Sequence, residues 1–379
     1  MRLRGDALVQ TRSPVGLMML QGEDRLRPWL DAEAMTWLGV TDAANGAPGP
    51  GAGSLGPAGD VVTVSVRARD VRTGSELRVG RMVVSMGAVR PLHVDGARGL
   101  VRVFGGTTAE AFGGMLVQRG FAYPTVDWAT GGRLGQSLGD RAQVGVSYLQ
   151  RRSDGDRSDE ELGADLAFTP TPWLTAASRA AFDVASKGPT DALVSVSAQR
   201  EEARVEAFMT HRSPGRLLPS TSLFSALGDF AATTAGGTLR WRAFPRLELL
   251  GTAAAQTQAG DVGGQGTGRA TLALDDAWAG TVGLEARRVQ VGAARWTGAR
   301  ALVALPVSER FRLAAELELV RPDEPRGRGA LWPWVLGAIG YRPSAAWDLA
   351  VGVEASSGPT YRVETHALAR ASYSFERSR

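Results

Sequence analysis

The chain has 379 residues, of which 44% are apolar, 22% charged and 7% aromatic, with 48 Gly and no Cys. Enough apolar material is present to bury a core, which excludes disorder, and the lack of Cys excludes a disulfide framework and Cys-based zinc sites. The net charge is +4, but 43 Lys+Arg face 39 Asp+Glu, and no basic run is interleaved with aromatics, so a nucleic-acid partner is excluded too.

Lys187 is the only lysine, and the Arg, Ala and Gly usage fits a GC-rich coding sequence. No stretch reaches the roughly 18 consecutive apolar residues of a membrane helix. The mean hydropathy of -0.10 still suits a membrane β-barrel, whose strands turn only alternate residues toward lipid.

From the N-terminus, residues 2–12 with 14–23 are expected to form a first hairpin. Segments 26–40, 60–71, 75–86, 92–104 and 107–118 are expected as strands. The Gly/Pro-rich stretch 41–59 has no strand or helix signal and is expected as an extracellular loop. From about residue 126 onward, strand-like segments recur roughly every 16–17 residues, separated by turn chemistry.

Strict alternation marks many of these segments. In 191–200, Ala192, Val194, Val196 and Ala198 oppose Ser195, Ser197 and Gln199. In 203–212, Val205, Ala207 and Met209 oppose Arg204, Glu206 and Thr210. Phe311, Leu313, Ala315, Leu317 and Leu319 oppose Arg310, Arg312, Glu316 and Glu318. In 361–376, Val363, Ala367, Ala369, Ala371, Tyr373 and Phe375 oppose Arg362, Glu364, His366 and Arg370. A period of two with one apolar face is the signature of a strand. That face is small and aliphatic, as expected against lipid, with Val194, Val205, Leu313, Leu317, Val351 and Ala369 facing outward.

Connections alternate in character. Short ones are read at 138–141, 170–174, 200–203, 244–247, 275–278, 306–309 and 342–346. Longer ones are read at 152–159, 186–190, 213–232, 260–268, 290–295, 322–329 and 356–360. Outer-membrane barrels have short periplasmic turns and longer extracellular loops. Trp29, Trp173, Trp278 and Trp347 beside short connections, and Trp128, Trp296, Trp332 and Trp334 beside long ones, are expected to form two interfacial girdles. The fold class is therefore all-β, a transmembrane antiparallel β-barrel of about 20–22 strands, 22 preferred, forming a single domain with no plug domain.

These hairpins, with patterns such as TPTPWLTA (169–176) and FPRLELLG (244–251), resemble Gram-negative outer-membrane β-barrels of the porin-like type. SELRVGR (75–81), LHVDGARGLVRV (92–103) and AEAFGG (109–114) resemble consecutive strands of uncharacterised large barrels. The resemblance implies an outer-membrane location and a cleaved leader. Met1–Gln10 lacks a leader's apolar core, so the leader either precedes this chain or was lost to a misplaced start codon. Residues Glu376–Arg379 after Phe375 also depart from the terminal aromatic common in such proteins.

In a closed barrel the polar face turns inward. Residues expected to line the lumen are Arg67, Arg69, Arg98, Arg102, Arg151, Arg179, Arg204, Arg240, Arg242, Arg269, Arg287, Arg300, Arg312, Arg362 and Arg370. Asp183, Glu206, Glu316, Glu318 and Glu364 share that face, as do Glu161, Asp165, Glu248, Asp275, Glu285, Asp348 and Glu354. Such a surface either selects charged solutes or forms cross-strand ion pairs that stiffen the wall. Residues 213–232 are too apolar for a solvated loop. Leu223, Phe224, Leu227 and Phe230 are expected either to constrict the mouth or to pack on the rim or a partner.

His93, His211 and His366 stand at unrelated positions, and no nucleophile motif accompanies them, so no enzyme, cofactor or metal is expected. The functional expectation is an outer-membrane pore for hydrophilic or anionic solutes. The alternative is a structural or export component of an outer-membrane machine, such as one for polysaccharide secretion or surface motility, with periplasmic partner proteins.

Overall fold

A computed structural model describes residues 2–4, 15–41, 58–117, 127–153, 155–213, 231–258, 260–292, 294–325, 329–359 and 363–374. Among the described residues, twenty-two strands share one antiparallel sheet. They begin with β1 (Arg2–Arg4), β2 (Val15–Arg27), β3 (Leu30–Thr41), β4 (Ala58–Arg69), β5 (Glu76–Val84) and β6 (Leu92–Arg102). Next come β7 (Thr107–Leu116), β8 (Trp128–Leu138), β9 (Ala142–Ser153), β10 (Asp156–Thr171), β11 (Leu174–Asp183) and β12 (Gly188–Arg200). Then follow β13 (Ala203–Arg212), β14 (Ala232–Phe244), β15 (Leu247–Gln258), β16 (Asp261–Ala273) and β17 (Thr281–Val291). The last are β18 (Ala294–Pro306), β19 (Phe311–Pro322), β20 (Trp332–Ser344), β21 (Trp347–Ser356) and β22 (Glu364–Tyr373).

From β2 to β22 each strand pairs with the next in chain order, and β1 pairs with β22. The first and last strands of the chain therefore meet, as a β-barrel requires. A wall of this kind leaves few backbone donors without partners, which is the condition for crossing lipid with strands.

Register follows the two-residue period. Across β19–β22 one row reads Leu313, Ile339, Val351 and Ala369, while the neighbouring row reads Arg312, Gly340, Ala350 and Arg370. The first row is apolar and solvent-facing throughout, and Val194, Val205 and Leu317 lie on the same side of the wall. Val194, Val205, Leu313, Leu317 and Val351 are each 40–58% exposed. Exposed aliphatics repeated from strand to strand would be untenable against water and suit hydrocarbon.

At the short-turn end this apolar face carries Phe168, Trp241, Phe311, Tyr341, Trp347 and Tyr373. Phe311 stacks on Tyr341 with centroids 4.6 Å apart, and Trp347 meets Tyr373 at 4.8 Å. The other end has Trp128, Tyr148 and Phe182 on the same face. Trp296, Trp332 and Trp334 are not part of a girdle. Their register places them opposite Val289, Val320 and Glu318, on the polar face, and the Arg287 guanidinium lies 5.9 Å from the Trp296 ring. Position near a strand end predicted a girdle; side-chain parity decided otherwise.

At three of the expected long connections the flanking strands stay paired almost to the connection itself. Strands β9 and β10 pair as far as Ser153–Asp156, β15 and β16 as far as Gln258–Asp261, and β17 and β18 as far as Val291–Ala294. The Gly-rich run 263–268 is wall strand, because its glycines allow close backbone approach. A Cβ at Gly263 would stand 2.1 Å from the Gln290 carbonyl oxygen. Near the N-terminus, the expected strand 26–40 is broken by the turn at Pro28–Trp29, and β2 pairs with β3. The segments expected at 60–71, 75–86, 92–104 and 107–118 correspond to β4–β7. Most of the expected loop 41–59 lies outside the described residues.

Candidate functional site

The candidate site is the polar face. Its charged side chains come from different strands and meet through register. Arg67 on β4 stands 2.7 Å from Asp31 on β3, and Arg78 pairs with Glu33 one rung away. Arg69 lies 3.6 Å from Glu76, while Arg98 bridges Glu76 and Glu110. Arg133 pairs with Asp165 and Arg179 with Asp191 at 3.2 Å. Arg204 meets Glu206 at 3.1 Å and Arg240 meets Glu248 at 2.8 Å. Arg287 sits between Glu285 at 2.9 Å and Glu318 at 2.7 Å, and Arg300 pairs with Glu316.

Other expected members of the face make different contacts. Arg242 lies over the Trp278 ring at 5.3 Å, Arg269 donates to the Thr271 hydroxyl at 3.2 Å, and the Arg102 backbone N–H donates to Ser75 Oγ. Asp183 caps the β11–β12 connection, accepting from the Ala185 N–H at 2.8 Å and from the Ser186 hydroxyl. Glu364 and Glu354 flank His366 at 3.1 and 3.4 Å. Asp275 lies in the β16–β17 turn, where its carboxylate accepts from the Ala279 and Gly280 N–H groups and is held below the usual carboxylate range. Arg362, Leu223, Phe224, Leu227 and Phe230 lie outside the described residues. Among the described residues, no group of three or more His, Asp or Glu could hold a metal ion.

One element of the face has no counterpart in the sequence reading. The β5–β6 connection, residues 85–91, turns over the polar face and packs on β8–β10. Met86, Ala88 and Val89 are buried, and Met86 and Val89 form a cluster with Met82, Val84, Val94, Phe112, Ala129 and Leu149. Phe112 and Met86 both crowd the bare position at Gly131. Gly87 has a positive φ of 54°, and a Cβ there would stand 2.5 Å from an Asp165 carboxylate oxygen. Only glycine satisfies both conditions at once.

Arg90 anchors the far end of this strap. Its guanidinium stands 2.8 Å from Glu161 and 3.1 Å from Asp159, and its backbone N–H donates to Glu161 at 3.2 Å. Glu161 is fully buried and Asp159 nearly so. Three strands lie between β6 and β10, a span of roughly 19 Å at the usual inter-strand spacing. A short connection reaches that far only because the sheet curls toward its polar face. The nearest sequence signal was two apolar residues, Met86 and Val89, beside Arg90-Pro91.

No family model matches the sequence, and neither does any curated protein. Solved structures match the fold. The P pilus usher (PapC) translocation pore matches at TM-score 0.57 and 10% identity, covering 95% of each chain. A second structure of the PapC translocation pore matches at TM-score 0.51 and 10% identity, covering 97% of this chain and 96% of that one. A triple mutant of the Rhodopseudomonas blastica porin matches at TM-score 0.35 and 12% identity, covering 71% of this chain and 98% of that one.

Proposed function

We propose that the chain is an outer-membrane β-barrel channel that passes hydrophilic solutes along a polar, arginine-rich lumen. The observation that carries this reading is the division of the wall. One face carries rows of exposed aliphatic side chains, and the other carries most of the paired guanidiniums and carboxylates. Lipid suits the first and water the second. A barrel of this strand number encloses a lumen wider than its own side chains can fill. The strap at 85–91 narrows the lumen on one side. The end bearing the connections at 138–141, 170–174 and 244–247 faces the periplasm, and the barrel forms one domain. Small anions are preferred because Arg is in excess, and the protein performs no catalysis.

The test is conductance after reconstitution of the full chain into planar bilayers. Ohmic steps with mild selectivity for chloride over potassium are expected. Closed membranes at every voltage, from protein shown to be folded, would remove the pore reading. A second reading, an export component with periplasmic partners, is supported by the likeness to the usher translocation pore over nearly the whole chain. Closed membranes together with a stably co-purifying periplasmic protein would favour it.

A further inference from the structure

The short-turn end of β19–β22 gathers three arginines around a single carboxylate. Arg312 is level with Gly340, Gly340 with Ala350, and Ala350 with Arg370, so the two central strands of this row are nearly bare. The Arg312 guanidinium crosses that gap, with Nε 3.3 Å from where a Gly340 Cβ would stand. Its Nη2 reaches Asp348 at 2.6 Å. Arg370 reaches the other oxygen of the same carboxylate at 2.9 Å, and Arg342 stands 3.2 Å away.

The four groups carry a formal charge of +2. Among the described residues, no other carboxylate forms an ion pair with any of the three arginines. Each guanidinium spends one nitrogen on Asp348 and keeps most of its five N–H donors. The side chains are 50%, 53% and 66% exposed, so these donors are open to solvent. By contrast, at Arg90 one guanidinium is shared by two buried carboxylates, Asp159 and Glu161.

We propose that Arg312, Arg342 and Arg370 form a capture site for the phosphate group of a water-borne solute at the short-turn mouth. A phosphate carries about -1.5 to -2 charges at neutral pH, which matches the residual +2. Its oxygens accept from several guanidinium forks at once, which a single carboxylate cannot do. Asp348 is the internal competitor, holding the three side chains together until an anion arrives. A lipid headgroup does not reach the cluster, because these residues alternate with Leu313, Val351 and Ala369 on the apolar face. The role of the site rests on the pore reading; the binding itself does not.

The experiment is calorimetric titration of the folded full chain, in neutral phosphate-free detergent at low ionic strength, with inorganic phosphate. The Arg312→Gln/Arg342→Gln/Arg370→Gln variant is expected to bind about tenfold more weakly or worse, the equivalent of at least one charge-assisted hydrogen bond. Asp348→Asn is expected to bind more tightly than wild type. If the triple variant fails to fold, Arg370→Gln alone, at the most exposed position, gives the same direction. No binding to wild type, equal affinity in wild type and arginine variant, or unchanged or weaker binding by Asp348→Asn would each overturn the proposal. Because the titration needs no open pore, closed membranes leave a positive result standing, and failed binding leaves conductance standing.

Discussion

Replacing Arg90 with Ala is expected to detach residues 85–91 from the wall and raise single-channel conductance. Glu161 and Asp159 are buried, and Arg90 is the cation that the strap brings to both. Removing one partner of a buried pair leaves an uncompensated charge, at a cost on the order of 3–5 kcal/mol. Because the strap is a connection and not a wall strand, the chain sheds that cost by letting it swing away. The effect should therefore appear as lost protection of the residue 90 amide, which donates to Glu161, in hydrogen exchange, while the wall strands keep theirs. Arg90→Ala combined with Glu161→Gln should recover part of the loss, since the stranded charge is then gone. Unchanged protection in Arg90→Ala would mean that the ion pairs do not hold the strap.

Phe112→Ala should act on the same strap from its apolar side. Phe112 is 5% exposed and packs in one cluster with Met86, Val89 and Leu149. Truncating a buried Phe to Ala costs about 3–5 kcal/mol through lost transfer energy and the cavity left behind. Once the strap is free, however, Arg90 has nothing left to anchor. The Arg90→Ala/Phe112→Ala variant is therefore expected to fall short of the sum of the single losses by about 0.5–3 kcal/mol, the range for coupled neighbours. Additive losses, measured by hydrogen exchange across the four proteins, would show that the two contacts hold independent elements.

The wall was legible because lipid on one side and polar groups on the other impose a period of two on every strand. The segments around Val194, Val205, Leu313 and Ala369 carried that period without interruption. Features that depend on register were harder to read. Trp296 and Trp334 stand near strand ends, but only the count of residues from the turn decides which face they occupy. The glycines at 263–268 suggest a loop in isolation and become wall strand once β15 and β17 approach closely on either side. The turn at Pro28–Trp29 lay inside a run that reads as one strand.

The candidate site shows the same division. Pairs within one hairpin, such as Arg300 with Glu316, follow from alternation. Arg67 and Asp31 are 36 positions apart, and the β3–β4 register that brings them together shifts between Met35 and Thr36, which local patterns do not specify. The strap was invisible for a further reason. Its seat combines Phe112, Ala129, Leu149, Asp159 and Glu161 from four different strands, and none of these positions is marked by its neighbours in sequence.

The central claim, a wall with lipid outside and water inside, is tested most directly by single-cysteine labelling along β21. The chain has no Cys, so each introduced thiol reports alone. Ala350→Cys and Gly352→Cys lie on the polar face, and Val351→Cys and Val353→Cys lie between them on the apolar face. In proteoliposomes a charged, membrane-impermeant thiol reagent should modify positions 350 and 352 and spare 351 and 353. Labelling without that alternation, or with the opposite phase, would contradict the account.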